Sequence, residues 1–258
     1  MRATPASYWD AVADDWQSAR DRLWRQHSDA VNRALLARWM PSGTRGRWLK
    51  TDLFDEAVCD GVAETLSEHA AQVVGMDIAV RVLHRARVAG WHRVAADARI
   101  LPFRSESFDG VVSLSTLDHF TSREDIARAL AEVHRVVRPG GWLILTLDNL
   151  LNPKIALRSI LPWDWLRAMG LVPYQVGATC GPRTLAQVVR AVGFELVEMT
   201  AIQHGPRVLG VWLARRLASA STTWQRRYRQ WFGKWERLER WPSRYFTGHF
   251  VAVRARKR

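Results

Sequence analysis

From Phe108 to Ser115 the chain is apolar and β-branched enough to form a buried strand. The polar stretch Thr121–Asp125 then starts a helix. On it Ile126, Leu130, Val133 and Val137 recur at helical spacing, with Arg128, Glu132 and Arg135 elsewhere. Arg138 to Gly141 (RPGG) stops that helix, because proline cannot continue it and glycine accepts left-handed dihedrals. Trp142 to Leu147 predicts a second buried strand. Strand, helix and strand in this order predict a crossover unit of a parallel sheet. Ligands in such sheets sit at the carboxyl ends of the strands, which here are Ser115–His119 and Asp148–Asn149.

The same reading organises the rest of the chain. Residues 6 to 40 predict two helices, one carrying Tyr8, Trp9, Val12 and Trp16, the other Trp24, Val31, Leu35 and Trp39. A loop over 41–46 leads to a short strand at 47–51. A helix over 56–71, a strand over 72–78 with Asp77 near its end, a helix over 79–88 and a strand over 92–96 closing on Asp97 follow. Leu150 to Gly181 reads as broken helices, 182–192 as a helix, 194–202 as a strand and 249–255 as the last strand. The stretch 204–248 is far too long for a hairpin loop. From Trp224 it carries Tyr228, Trp231, Phe232, Trp235 and Leu238 on one helical stripe, with Arg226, Arg227, Arg229, Lys234 and Arg237 on much of the rest. A basic helix with an aromatic face suits a membrane interface; it equally suits packing by that face onto the domain. Both readings stand at this point. The pattern thus predicts an N-terminal helical cap over 1–40 and a domain over 41–258 with a helical insertion at about 204–248.

Composition adds limits. The 258 residues are 48% hydrophobic, enough for one well-buried α/β domain. Two cysteines, Cys59 and Cys180, give neither a disulfide framework nor metal spacing, and no His/Cys cluster has ligand spacing, so a metal-free site is expected. The first residues lack an apolar signal core, and no run approaches ~18 apolar residues. A cytoplasmic protein is expected, with peripheral membrane contact through 224–238 as the further reading. The net charge of +13 suits anionic partners without choosing among them.

The central stretch, LPFRSESFDGVVSLSTLDHF followed by RALAEVHRVVRPGGWLILTLDN, carries an ordered pattern. An acidic residue precedes LPF, FD opens an apolar strand, L-D-H follows, and a helix ends R-V-V-R-P-G-G. In this it resembles class I S-adenosylmethionine (SAM)-dependent methyltransferases of the type 11 kind. That resemblance implies a Rossmann-like seven-stranded, mostly parallel sheet flanked by helices, with an antiparallel last strand. It implies SAM as cofactor and a methyl-transfer activity; for the acceptor, a small-molecule or lipid-like one is expected, and the aromatic, basic cap and insertion favour a large apolar or anionic molecule. On the same footing Asp77, in VVGMDIAVRVLHRA, would bind the ribose and Ile78 would pack on the adenine. Asp97 and the Ala98 N–H would meet the adenine edge, and Ser115 would close the cofactor site from the fourth strand.

The first motif departs from the family. Where an acidic residue and G-x-G-x-G are expected, the chain reads WLKTDLFDEA, with Lys50 at the acidic position and Asp52, Phe54 and Glu56 on the glycine positions. Glycine there lets backbone approach the methionine end of the cofactor. Three readings follow. Asp52 or Glu56 pairs with the SAM ammonium, or Thr51 and backbone groups make the contacts, or SAM no longer binds and the domain is a non-catalytic scaffold. For the chemistry, His119 is the candidate base, since imidazole titrates in the useful range. Tyr8, Asp118, Asn149, Tyr174 and His204 are candidates for the mouth of the substrate pocket. TLDHF stands where base-amine methyltransferases carry N-P-P-[YF], which disfavours a nucleic-acid acceptor. The absence of G-x-G-x-x-G speaks against a dinucleotide dehydrogenase. Oligomeric state stays open.

Overall fold

A computed structural model describes residues 5–15, 21–42, 46–168 and 177–258. Trp16 and Tyr174 lie outside the described residues. Seven strands, β1 (Arg47–Lys50), β2 (Gln72–Asp77), β3 (His92–Ala95), β4 (Phe108–Leu114), β5 (Val137–Asp148), β6 (Phe194–Ile202) and β7 (Phe250–Lys257), form one sheet in the order β3-β2-β1-β4-β5-β7-β6. Neighbouring strands run parallel except β7, which is antiparallel to both β5 and β6. The Rossmann-like arrangement expected from the sequence is the one observed. Strand order reverses between β1 and β4, so the crevice at their carboxyl ends is where a ligand of such a sheet belongs.

The helices are α1 (Pro5–Asp15), α2 (Arg22–Trp39), α3 (Phe54–Val58), α4 (Ala63–His69), α5 (Val80–Arg85), α6 (Arg123–Val136), α7 (Pro153–Ile160), α8 (Trp163–Ala168), α9 (Pro182–Ala191), α10 (Arg207–Arg216), α11 (Thr222–Trp235) and α12 (Arg244–Thr247). Successive strand residues point to opposite faces, and the core divides accordingly. Val111, Leu143, Leu145 and Leu147 meet Ile126, Leu130 and Val133 of α6 and Leu185 and Val189 of α9. Val112, Leu114 and Ile144 meet Leu35, Leu36 and Trp39 of α2 and Leu66 of α4 on the other face. Ser122 caps α6 by accepting the Asp125 N–H at 3.1 Å.

Two elements differ from expectation. The helix expected over 56–71 is split into α3 and α4, with Gly61 in left-handed backbone (φ 58°) between them. Its cause is Glu56, whose buried carboxylate accepts the Val62 N–H at 2.9 Å and so turns the chain back on itself. The helix stops before RPGG as expected, but the strand expected from Trp142 begins at Val137 and takes RPGG in: Val137 already pairs with Phe108, and the register shifts between Phe108 and Gly110.

The insertion between β6 and β7 contains α10 and α11. Tyr228 and Phe232 are buried against Leu23, Trp24 and Ala214, whereas Trp224 and Trp231 are exposed. The aromatic stripe is therefore shared between packing and surface. Among the described residues no helix is long and apolar enough to cross a membrane.

Candidate functional site

A cavity of ≈ 470 Å³ opens at the carboxyl ends of β1, β2, β4 and β5 and runs beneath α1 and α2. That volume lies within the range of small-molecule sites. Its lining includes Thr51, Asp52, Asp77, Ile78, Asp97, Ala98, Ser115, His119 and Tyr8, so most of the sequence-derived candidates converge on one space.

The turn after β1 is built without glycine. The Thr51 hydroxyl lies 2.9 Å from Ser113 Oγ and 3.1 Å from Thr116 Oγ1, with one proton to share between them, and Thr116 in turn donates to Asp52 Oδ2 at 2.6 Å. Lys50 points inward, its ammonium donating to the Asp52 carbonyl at 2.7 Å and to Glu56 Oε2 at 2.9 Å. Burial works against the Lys50 charge, but the Asp52 and Glu56 carboxylates outweigh it and hold its pKa above the usual lysine value. Asp52 reaches the cavity; Glu56, fully buried, does not. Glu56 is thus a structural partner of Lys50, and of the two carboxylates only Asp52 is in position to meet a ligand.

At the tip of β2, Asp77 accepts the Leu53 N–H at 3.0 Å and the Ala79 N–H at 2.8 Å, one on each oxygen. Burial raises its pKa to about 6 in spite of those two bonds. Asp97 is gripped by Arg99, whose Nε donates to Oδ1 at 3.0 Å and whose Nη2 donates to Oδ2 at 2.6 Å. Burial opposes the Asp97 charge, yet the Arg99 hydrogen bonds prevail and hold its pKa below the ordinary carboxylate value. Arg99 also lies over the Phe120 ring, 5.0 Å from its centroid.

Ser115 and Gln203 both line the cavity with left-handed backbone, φ 53° and 62°. Such conformations in non-glycine residues concentrate where function constrains the chain. Ser115 donates its hydroxyl to Asp118 Oδ2 at 2.9 Å. Asp118 itself is buried behind the lining, and burial together with the Asp148 charge pushes its pKa up to about 6. His119 faces the cavity with its ring 4.6 Å from that of Trp9, so α1 carries part of the wall.

Three candidates for the mouth do not line the cavity: Asp118, buried behind it, Asn149 and His204. Asn149 is fully buried, its amide donating to the Tyr245 carbonyl at 2.6 Å and the Gly248 carbonyl at 3.0 Å. It ties β5 to the segment before β7 rather than lining the pocket. His204 is buried too, spanning Thr247 Oγ1 (2.8 Å) and the Ala201 carbonyl (2.9 Å), and burial lowers its pKa. Its neighbour Gln203 lines the cavity instead. The sequence reading also missed Arg158 and Arg207, which reach the cavity from α7 and α10. Neither carries a local pattern that marks it; the long connections that bring them in have no register with the sheet. Away from the cavity lining, Asp29, Cys59 and Asp60 come together closely enough to hold a metal ion, a grouping invisible in the spacing.

Comparison with known proteins places this geometry among relatives. The family model described as a methyltransferase domain matches residues 59–145. The ubiquinone biosynthesis O-methyltransferase of Burkholderia thailandensis is 28% identical over 178 residues, 64% of this chain and 71% of that enzyme. The probable tRNA methyltransferase 9B of Homo sapiens is 36% identical over 94 residues, but these span only 35% of this chain and 21% of that protein. Among solved structures, a SAM-dependent methyltransferase from Mesorhizobium loti shares the fold with a TM-score of 0.60 at 20% identity, covering 90% of this chain and all of that one.

Proposed function

We propose that this chain is a class I SAM-dependent methyltransferase and that it methylates a small, largely apolar acceptor in the cavity described above. The observation that carries this reading is continuity: Asp52, Asp77 and Ile78 on one side and Ser115, His119 and Asp148 on the other line one cavity. The residues present suit the cofactor. Asp77 offers carboxylate oxygens to the two ribose hydroxyls, Asp52 offers one to the methionine ammonium, and Ile78 with Ala98 flanks the adenine, near Asp97. When bound, SAM supplies an electrophilic methyl group. The chain supplies orientation, which carries most of such a displacement at carbon, and walls of Trp9, Trp24, Phe54 and Phe250 that exclude water. His119 takes the acceptor's proton at its imidazole where the acceptor holds one at neutral pH.

The relatives named for ubiquinone biosynthesis favour an oxygen nucleophile on an apolar body. The tRNA-methyltransferase match is confined to a short core segment and carries no acceptor argument. Exposed Trp212, Trp224 and Trp231 on the insertion support peripheral contact with a membrane from which a lipid-like acceptor would enter. The test is calorimetric titration of S-adenosylhomocysteine into wild type and Asp77→Ala, beside mass spectrometry of the purified protein for co-purified cofactor. Micromolar binding by wild type that is lost in the variant supports the reading. Negligible binding by both overturns it.

A further inference from the structure

Asp148 ends β5 with its carboxylate almost wholly buried, and Arg158 of α7 forms an ion pair with it. His249 stands on the other side. Its Nε2 accepts a hydrogen bond from Arg207 Nη1 at 2.9 Å, so that nitrogen carries no proton and the ring is neutral. The same Nε2, 3.4 Å from Asp148 Oδ1, therefore does not donate to it. Arg207 is left with a neutral imidazole as its hydrogen-bond partner and, among the described residues, with no carboxylate within ion-pair distance. The remaining nearby acid, Asp118, accepts the Asp148 N–H and the Ser115 hydroxyl and lies behind the cavity lining.

The cavity is consequently polarised. At the β1–β3 end, Asp52, Asp55, Asp77 and Asp97 outnumber Arg25 and Arg99. At the β5 end the wall carries Arg158 and Arg207 against Asp148, with Asp118 buried behind it. The first imbalance suits a cationic cofactor. At the second end Asp148 is taken by Arg158, and Arg207, which acts on Asp148 only at longer range, is the cation without a directly paired carboxylate among the described residues. Water-exposed surface arginines are ordinary; a half-buried arginine that lines a cavity also lined by aromatic side chains such as Phe250 and Trp24 is not.

We propose that Arg207, with Arg158 beside it, is the subsite for a carboxylate on the methyl acceptor, so that the substrate is an apolar or aromatic acid rather than a neutral lipid. This rests on the reading of the cavity as a methyl-transfer site. A planar guanidinium fork matches a planar carboxylate in two parallel hydrogen bonds, and the one arginine without a directly paired carboxylate matches a monoanion. Phosphate shares the chemistry of an oxyanion but would bring close to two charges.

The experiment uses the full chain saturated with S-adenosylhomocysteine, and repeats each titration without it. Benzoate, phenyl phosphate and the neutral isostere benzamide are titrated while tryptophan fluorescence is followed, since Trp9 and Trp24 line the cavity. Wild type is expected to bind benzoate at least tenfold more tightly than benzamide. Arg207→Gln is expected to erase that preference, and Arg207→Lys to retain part of it. S-adenosylhomocysteine affinity stays at the wild-type level in both variants, because Arg207 starts α10 and is not among the β1–β3 residues proposed to hold the cofactor. Equal binding of benzoate and benzamide by wild type overturns the proposal, as does an undiminished benzoate preference in Arg207→Gln. Phenyl phosphate binding more tightly than benzoate overturns the assignment to a carboxylate. Loss of S-adenosylhomocysteine binding with the benzoate preference intact would strike the cofactor reading alone and leave the anion subsite standing.

Discussion

Lys50 Nζ lies 2.9 Å from Glu56 Oε2, and both side chains are shut away from solvent beneath the turn that follows β1. This pair replaces the acid-and-glycine pattern that the rest of the sequence leads one to expect. The ammonium binds the Asp52 carbonyl, and the carboxylate binds the Val62 N–H, so one ion pair shapes the turn on one side and the α3–α4 break on the other. Removing Lys50 strands the Glu56 carboxylate in the interior, which typically costs about 3–5 kcal/mol, whereas Lys50 keeps Asp52 Oδ1 at 3.4 Å when Glu56 is replaced. Lys50→Met should therefore lower the unfolding free energy by roughly that amount and Glu56→Gln by less, read from urea melts. The double replacement Lys50→Met with Glu56→Leu should recover much of the loss, because a matched apolar pair leaves no buried charge.

Asp77 ties the same turn to the cofactor. Its free-state pKa, raised by burial to about 6, means that protonation competes with binding at mildly acidic pH. Hydroxyl donors from a ribose favour the charged form and lower the pKa in the complex. The affinity for S-adenosylhomocysteine should thus be flat above pH 7 and fall by up to about tenfold per unit as pH drops below 6, since binding there must release a proton. Asp77→Asn should weaken binding by about tenfold to a hundredfold at pH 7.5, the scale of lost hydrogen bonds to a charged group, and should abolish the acid-side slope. Calorimetric titrations between pH 5 and 8 check both.

The sheet was legible because β4, α6 and β5 alternate between the periods of strand and helix, and Val111, Val112, Leu143 and Ile144 bury as that alternation requires. Asp77, Ile78, Asp97 and Ala98 were legible because they sit at strand ends, where backbone geometry fixes them relative to the crevice. The first turn was not, because its missing glycine is compensated elsewhere. Gly75 on β2 makes the room: a Cβ there would come 2.8 Å from the Leu53 side chain, which fills the space beside the turn. Compensation between residues distant in sequence leaves no periodic trace. Asn149 and His204 were misplaced for a related reason. Both are polar residues near strand ends, yet each is consumed by backbone carbonyls of the segment before β7 and of β6 itself.

His119 is the candidate base, and its neighbours restrict how that role can be tested. Its ring lies 4.6 Å from that of Trp9, tilted by 60°, and its Nε2 is 4.0 Å from Asp118 Oδ1. His119→Ala should leave S-adenosylhomocysteine affinity within about twofold, since the cofactor contacts proposed here lie on β1–β3. It should lower kcat by about a hundredfold or more for an acceptor that must lose a proton. An acceptor already ionised at the assay pH should show almost no loss. Measuring kcat against pH for wild type and His119→Ala separates these outcomes: a rise with pH that restores the variant's rate marks a base, and a uniform deficit marks a packing role.

Phe232 and Trp224 share one face of α11 yet have opposite surroundings, and that difference yields the clearest separation of packing from surface function. Phe232 is fully buried, 5.8 Å from the Trp24 ring and 4.8 Å from that of Tyr228. Phe232→Ala removes the centre of the contact between α2 and the insertion, and should cost about 3–5 kcal/mol of stability. Trp224 is 54% exposed with Arg227 over its ring, and Trp212 is 51% exposed with Arg216 over its own. Replacing both tryptophans by alanine should change stability by no more than about 0.5 kcal/mol. If these rings enter a membrane interface, with the arginines meeting anionic headgroups, the same double variant should lose at least fivefold in co-sedimentation with vesicles of anionic lipid. Wild type should release those vesicles as salt is raised. Co-sedimentation that is unchanged in the double variant would confine the insertion to its packing role against α2.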